Sequence, residues 1–178
     1  MATPPADVQV IPIYLDNFVF GPAHLLHLTL PEGWRIQRGF SHPEIHATHV
    51  RRGQTWVASA DAWYVLAHEQ EPWLLEFHLR VLPKPTSRAA EGERWPLGVG
   101  HAGTLVKRTV RRGPPWRRQP TPQWALTWYC PETERGFRLE VTGRVPEEAL
   151  RALFQAWRHV DCHPQSPTQT SLVEQPEE

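Results

Sequence analysis

Cysteine is nearly missing from this chain: Cys130 and Cys162 are the only two in 178 residues. Two such residues make no disulfide framework, and a chain of this length can bury enough apolar surface to fold without one. Net charge is missing as well, because 19 basic residues balance 19 acidic ones. No global attraction to nucleic acid or to an anionic membrane is expected from that balance. Apolar runs last only a few residues, so no segment reads as a membrane span. The opening MATPPADVQV has neither a basic region nor an apolar stretch, so no secretory signal is read there and a cytoplasmic location is expected. The nucleophile elbow G-x-S-x-G, the zinc-protease helix H-E-x-x-H, a phosphate loop and a dinucleotide fingerprint are all lacking. Lysine is scarce beside arginine, which together with abundant Trp and Pro suggests a GC-rich or thermophilic source.

What is present reads as one α+β domain over residues 8–163, with a loose segment at 1–7 and a Pro-, Gln- and Glu-rich tail at 164–178 expected to be disordered. VQVIPIYL alternates like a strand, and Pro12 marks it as an edge or a bulge. HLLHLTLP follows, then a turn at Pro31-Glu32-Gly33-Trp34 and a return strand in WRIQRGF. THVRRGQTWVASA predicts a hairpin around Arg52-Gly53. WLLEFHLRVLP predicts a strand with Leu75, Phe77, Leu79 and Val81 on one side. Ser87 is a candidate cap for a short helix over RAAEGER, and GTLVKRTVRRG predicts a strand. The four prolines of GPPWRRQPTP predict an irregular loop. QWALTWYC, PETE and RGFRLEVTG form the clearest hairpin. VPEEALRALFQAWRHV is the clearest helix, with Pro146 at its start, Glu147 and Glu148 at the positive end of its dipole, and an apolar stripe of Leu150, Leu153, Phe154 and Trp157. The expected architecture is an antiparallel sheet with this C-terminal amphipathic helix packed on one face.

That order of pieces resembles the PsbP-like fold superfamily. The resemblance is carried by the Pro31-Glu32-Gly33-Trp34 turn, by GHAGTLVKRTV, and by WALTWYC, RGFRLEVTG and EEALRALFQAW, and it extends over roughly residues 20–160 in order of elements. It implies a mostly non-catalytic protein that serves as an assembly factor, an adaptor or a complex subunit. It transfers no functional residue to this chain, and fold alone does not fix function.

Histidines invite a metal reading at SHPEIHATH, where His42, His46 and His49 crowd together. On a helix they would share a side, but Pro43 pushes His42 toward extended backbone and the following hairpin asks for a strand. Extended, His46 and His49 face opposite ways, so the trio reads as ordinary strand histidines. His24 and His27 diverge in the same manner, and His68 beside Glu69 does not converge as an acid–base pair must. The stronger polar cluster joins distant segments: His101 between Gly100 and Gly103, Cys130 at a strand end, and Cys162 with His163 just after the helix. Three readings stay open for it: a Cys130–Cys162 disulfide, two separate buried thiols, or a zinc site from Cys130, Cys162, His163 and His101. The zinc reading lacks the usual C-x-x-C pair, and no other cofactor is indicated.

One stretch is locally basic. VKRTVRRGPPWRR carries Lys107, Arg108, Arg111, Arg112, Arg117 and Arg118 around Trp116. The expected partner is an acidic protein surface docking on Arg111, Arg112, Trp116, Arg117 and Arg118, since Arg and Trp are favoured at interfaces. The alternative is a nucleic-acid backbone with Trp116 available for stacking, against which the zero net charge argues. Without convergent catalytic groups the reading is a non-catalytic binding or adaptor module, with a small metal-dependent enzyme as the weaker alternative.

Overall fold

The structure, a computed structural model, describes residues 8–15, 23–37, 47–52, 55–82 and 91–163. Their elements in chain order are β1 (Val8–Leu15), β2 (Ala23–Pro31), β3 (Trp34–Gln37), β4 (Ala47–Arg52), β5 (Thr55–His68), β6 (Leu74–Leu82), β7 (Glu93–Pro96), β8 (Ala102–Arg112), β9 (Gln119–Cys130), β10 (Arg135–Thr142) and α1 (Glu147–Ala156). Short 3-10 turns follow β8 at Pro115–Arg117 and α1 at Trp157–His159. The segments at 1–7 and 164–178, His42 and His46 lie outside the described residues. No described helix is long and apolar enough to cross a membrane.

Alternation builds the sheet. Along β6, Leu75, Phe77, Leu79 and Val81 are buried, and between them stand Glu76, His78 and Arg80 on the other face. The same parity holds across its neighbours: Leu79 pairs with Ala62 on one side and Leu139 on the other, while His78 pairs with Trp63 and Glu140. The resulting antiparallel sheet has the order β3-β5-β6-β10-β9-β8-β7, and β4 joins β3 on the free edge of β5. One face is apolar and covered; the other carries charged and polar side chains.

The cover consists of α1 and the β1–β2 ribbon. The helix starts after Pro146, which donates no hydrogen bond that a first turn needs, and its stripe of Leu150, Leu153, Phe154 and Trp157 is fully or nearly fully buried. Phe154 lies against Trp124 of β9 and Trp157 against Phe77 of β6, so the stripe spans the middle of the sheet. β2 runs beside the end of the helix, where the Thr29 hydroxyl donates to the Ala156 carbonyl and His27 exchanges backbone hydrogen bonds with Asp161. The indole N–H of Trp95 on β7 donates to the Phe154 carbonyl at 3.2 Å, satisfying one of the carbonyls a helix end leaves open.

Three local expectations change. Trp34–Gln37 does not return along β2; it pairs with Val65–His68 of β5, so the turn at 31–34 passes the chain from ribbon to sheet. Gly33 takes a positive φ of 78° there, with His68 packed where a Cβ would point. The proline-rich stretch is half regular, because Gln119–Pro122 pairs with Thr109–Arg112. β10 ends opposite Gln123, and the Pro122 and Pro120 carbonyls accept from Gly143 N–H and Arg144 on that side, so the missing proline N–H groups face an edge with no ladder to break. Finally, Glu93 and Arg94, expected at the end of a short helix, lie in β7; Ser87 falls outside the described residues. Pro12 sits in an edge strand just before a register shift at Ile13/Tyr14, as its chemistry requires.

Candidate metal centre and partner surface

The fold brings His101, Cys130, Cys162 and His163 to one end of the sheet. β9 ends there at Cys130, and β10 departs from there toward the far end. α1 then runs back antiparallel to β10, and the 3-10 turn and the Asp161–His27 pairing deliver Cys162 and His163 beside Cys130. His163 is oriented by its own backbone N–H, which donates to the Asp161 carboxylate at 2.8 Å. His101 comes from the turn between β7 and β8. That turn is held by Leu97 N–H to the His101 carbonyl and by Gly98 N–H to the Arg158 carbonyl, and Gly100 supplies a φ of 84°.

One potential ligand atom from each of the four residues lies within 4.8 Å of every other. The two Nε2 atoms of His101 and His163 are 3.0 Å apart, and Cys130 Sγ is 2.9 Å from His163 Nε2. Both cysteines are fully buried and unbonded; the histidines are partly exposed. Cys130 Sγ accepts the Thr133 backbone N–H at 3.3 Å from the turn that follows it. Burial pushes the Cys162 thiol up to about 12, opposed by the Trp128 indole and reinforced by Cys130. The Trp128 N–H has no hydrogen-bond partner of normal geometry. Burial, then the neighbouring His163, hold His101 below the ordinary imidazole range against the pull of Glu132. The Glu132 carboxylate lies 3.7 Å from His163 Nε2.

The basic run occupies the opposite end of the β8–β9 hairpin and divides in two. Lys107 pairs with Glu147 and sits over the Trp124 ring, Arg108 reaches Glu140, and Arg112 reaches Glu76 at 3.0 Å. Arg111, Arg117 and Arg118 are exposed and have no acidic partner among the described residues. Trp116, in the 3-10 turn at the hairpin tip, is 85% exposed.

His68 is structural. Its Nδ1 accepts the backbone N–H groups of Gln70 and Glu71, and its ring packs edge-on to Trp34, so it closes the β5–β6 turn. A polar cluster that no local motif announces lies on the uncovered sheet face. There His78 stands between Asp61 and Glu140, with Trp63 stacked on its ring at 3.7 Å. Glu140 is buried, which raises its pKa, but the hydrogen bond from Arg138 and the charges of Arg138, Arg108 and His78 outweigh burial and leave it below the usual carboxylate value. The only sequence signal was the alternation of the strands that bear these residues.

Compared with family models, curated proteins and solved structures, the chain matches none.

Proposed function

We propose that the protein is a non-catalytic binding module, a subunit or assembly factor that docks on an acidic protein surface through the tip of the β8–β9 hairpin. The observation that carries this reading is Trp116, 85% exposed and flanked by Arg111, Arg117 and Arg118, which lack acidic partners among the described residues. An exposed indole close in the chain to guanidinium groups without acidic partners among the described residues has the composition of an interface hot spot. The hairpin presents it with little entropy to lose, because Pro114, Pro115, Pro120 and Pro122 restrict the backbone around it. The finer fold reading, PsbP-like, is supported by the order of turn, hairpin and terminal helix, and it carries the same non-catalytic expectation. A cytoplasmic setting suits two unbonded thiols.

The experiment compares wild type with Trp116→Ala/Arg117→Glu after affinity purification from the native source. A hot-spot tryptophan contributes about 2 kcal/mol or more, so the partner's affinity should fall by about 30-fold or more while the thermal midpoint stays nearly unchanged. A double variant that keeps its protein partner overturns the reading. If what is lost is instead nucleic acid bound with a steep salt dependence, the hairpin tip is a backbone-binding surface.

A further inference from the structure

We propose that His101, Cys130, Cys162 and His163 form a closed Cys2His2 zinc site that fastens the segment after the helix to one end of the sheet. This inference is independent of the partner reading, since the two sites lie at opposite ends of the β8–β9 hairpin.

Without a cation, the hydrogen bonding of the cluster is inconsistent. His163 Nε2 lies 3.0 Å from His101 Nε2 and 2.9 Å from Cys130 Sγ. An imidazole nitrogen carries either one proton or one lone pair, so it cannot make a full hydrogen bond to both neighbours. Four donor atoms converging on one point, with one nitrogen asked to serve two partners, is the arrangement a cation resolves. With bonds of about 2.3 Å to sulfur and about 2.05 Å to nitrogen, the edges of a tetrahedral zinc site run from about 3.3 to 3.8 Å. The observed separations bracket that range, from 2.9 Å to no more than 4.8 Å, so modest side-chain shifts complete the tetrahedron.

Donor chemistry selects the metal. Two sulfurs and two imidazoles in a tetrahedral set suit zinc, whereas magnesium and calcium require oxygen. All four positions are filled by protein, which is the pattern of a structural site rather than a catalytic one with an open position. An N–H group stands beside each sulfur. Thr133 N–H already donates to Cys130 Sγ, and the buried Trp128 indole N–H stands beside Cys162. Two thiolates and one zinc ion sum to zero charge, which removes the cost of burying either sulfur as an anion.

The ligands come from three places in the chain: the β7–β8 turn, the end of β9 and the segment beyond α1. A bound ion adds its binding energy to folding by linking them.

The test uses the full chain, purified under reductant with any histidine tag removed. The expected results are one zinc per chain by elemental mass spectrometry and two thiols that react with a thiol reagent only after chelation. Cobalt(II) added to the stripped protein should give the intense visible bands of tetrahedral coordination together with thiolate charge transfer. His101 is half-exposed on a turn and outside the apolar core, so His101→Gln should fold, and it should bind zinc at least about tenfold more weakly, the loss seen even for supporting residues of metal sites. Cys162→Ser should weaken the charge-transfer band, because Cys130 is then the single sulfur donor. A Cys130–Cys162 disulfide in the purified protein, stripped protein that takes up no zinc or cobalt, or His101→Gln with wild-type zinc affinity would each overturn the proposal.

Discussion

Phe154→Ala is the sharpest perturbation of the fold. Phe154 is fully buried, with ring centroids 5.5 Å from Trp124 of β9 and 4.6 Å from Trp157, and its carbonyl holds the Trp95 indole. Removing the ring forfeits about 1.5–3 kcal/mol of apolar transfer. It also forfeits two aromatic contacts worth about 0.5–1.5 kcal/mol each. The neighbours cannot collapse far, because Trp124 is fixed in a central strand and Trp95 is held by the helix end, so a cavity persists. These terms overlap, and the expected total is about 3–5 kcal/mol, the usual range for Phe→Ala in a core. For a domain of this size that is a fall in thermal midpoint of about 2–4 °C per kcal/mol, hence about 6–20 °C in all. Urea unfolding followed by tryptophan fluorescence reads it directly. Arg151→Ala is the control on the exposed side of the same helix. Its ion pair with Glu147 at 3.2 Å is an i,i+4 contact worth about 0.2–0.5 kcal/mol. A loss below about 1 kcal/mol at Phe154 would mean the helix is peripheral, and the account of the core would fail.

Two further substitutions test other links. Gly33→Ala places a Cβ 2.7 Å from the His68 ring on a backbone with φ of 78°, and should cost about 1 kcal/mol or more by chemical denaturation; a neutral result would mean the ribbon-to-sheet crossing is not held as described. Glu140→Gln removes the charge held by Arg138 at 2.6 Å and Arg108 at 3.2 Å, and should cost about 1.5–3 kcal/mol at neutral pH. Because the folded pKa of Glu140 lies below its ordinary value of 4.5, its contribution is present above that pH and is lost as pH falls through the lower folded value. Stability curves of wild type and Glu140→Gln should therefore converge on the acid side of pH 4.5. Curves that stay parallel into acid would show that the carboxylate is not held by its neighbours.

Local pattern and long-range pairing were unequally legible. The period of two in Leu75, Phe77, Leu79 and Val81 and the three–four spacing of Leu150, Leu153, Phe154 and Trp157 state their buried faces outright, and both faces are buried in the structure. Partner choice is different. Nothing within Trp34–Gln37 says that it pairs with β5 rather than β2, since a short strand's partner is chosen by the whole sheet. Pro120 and Pro122 read as loop residues because the sequence does not show that β10 stops at Thr142 and leaves their edge free. The four residues of the Cys/His cluster were visible, but their meeting depends on strand order and helix direction together. The His78–Glu140 network was invisible for the same reason: its members alternate on separate strands and meet only when β5, β6 and β10 align. Of the basic run, sequence shows the charges but not which ones are already neutralised by Glu76, Glu140 and Glu147.

The functional claim rests on Trp116, so the most direct measurement places a photoreactive phenylalanine analogue at that position and irradiates the protein in its native cells. Its exposed place at the hairpin tip should leave the fold intact. The account predicts a discrete adduct with one protein, the same protein that Trp116→Ala/Arg117→Glu fails to retain, and no such adduct from the analogue at Arg151. The absence of a protein adduct at position 116, or an adduct with nucleic acid alone, would contradict it.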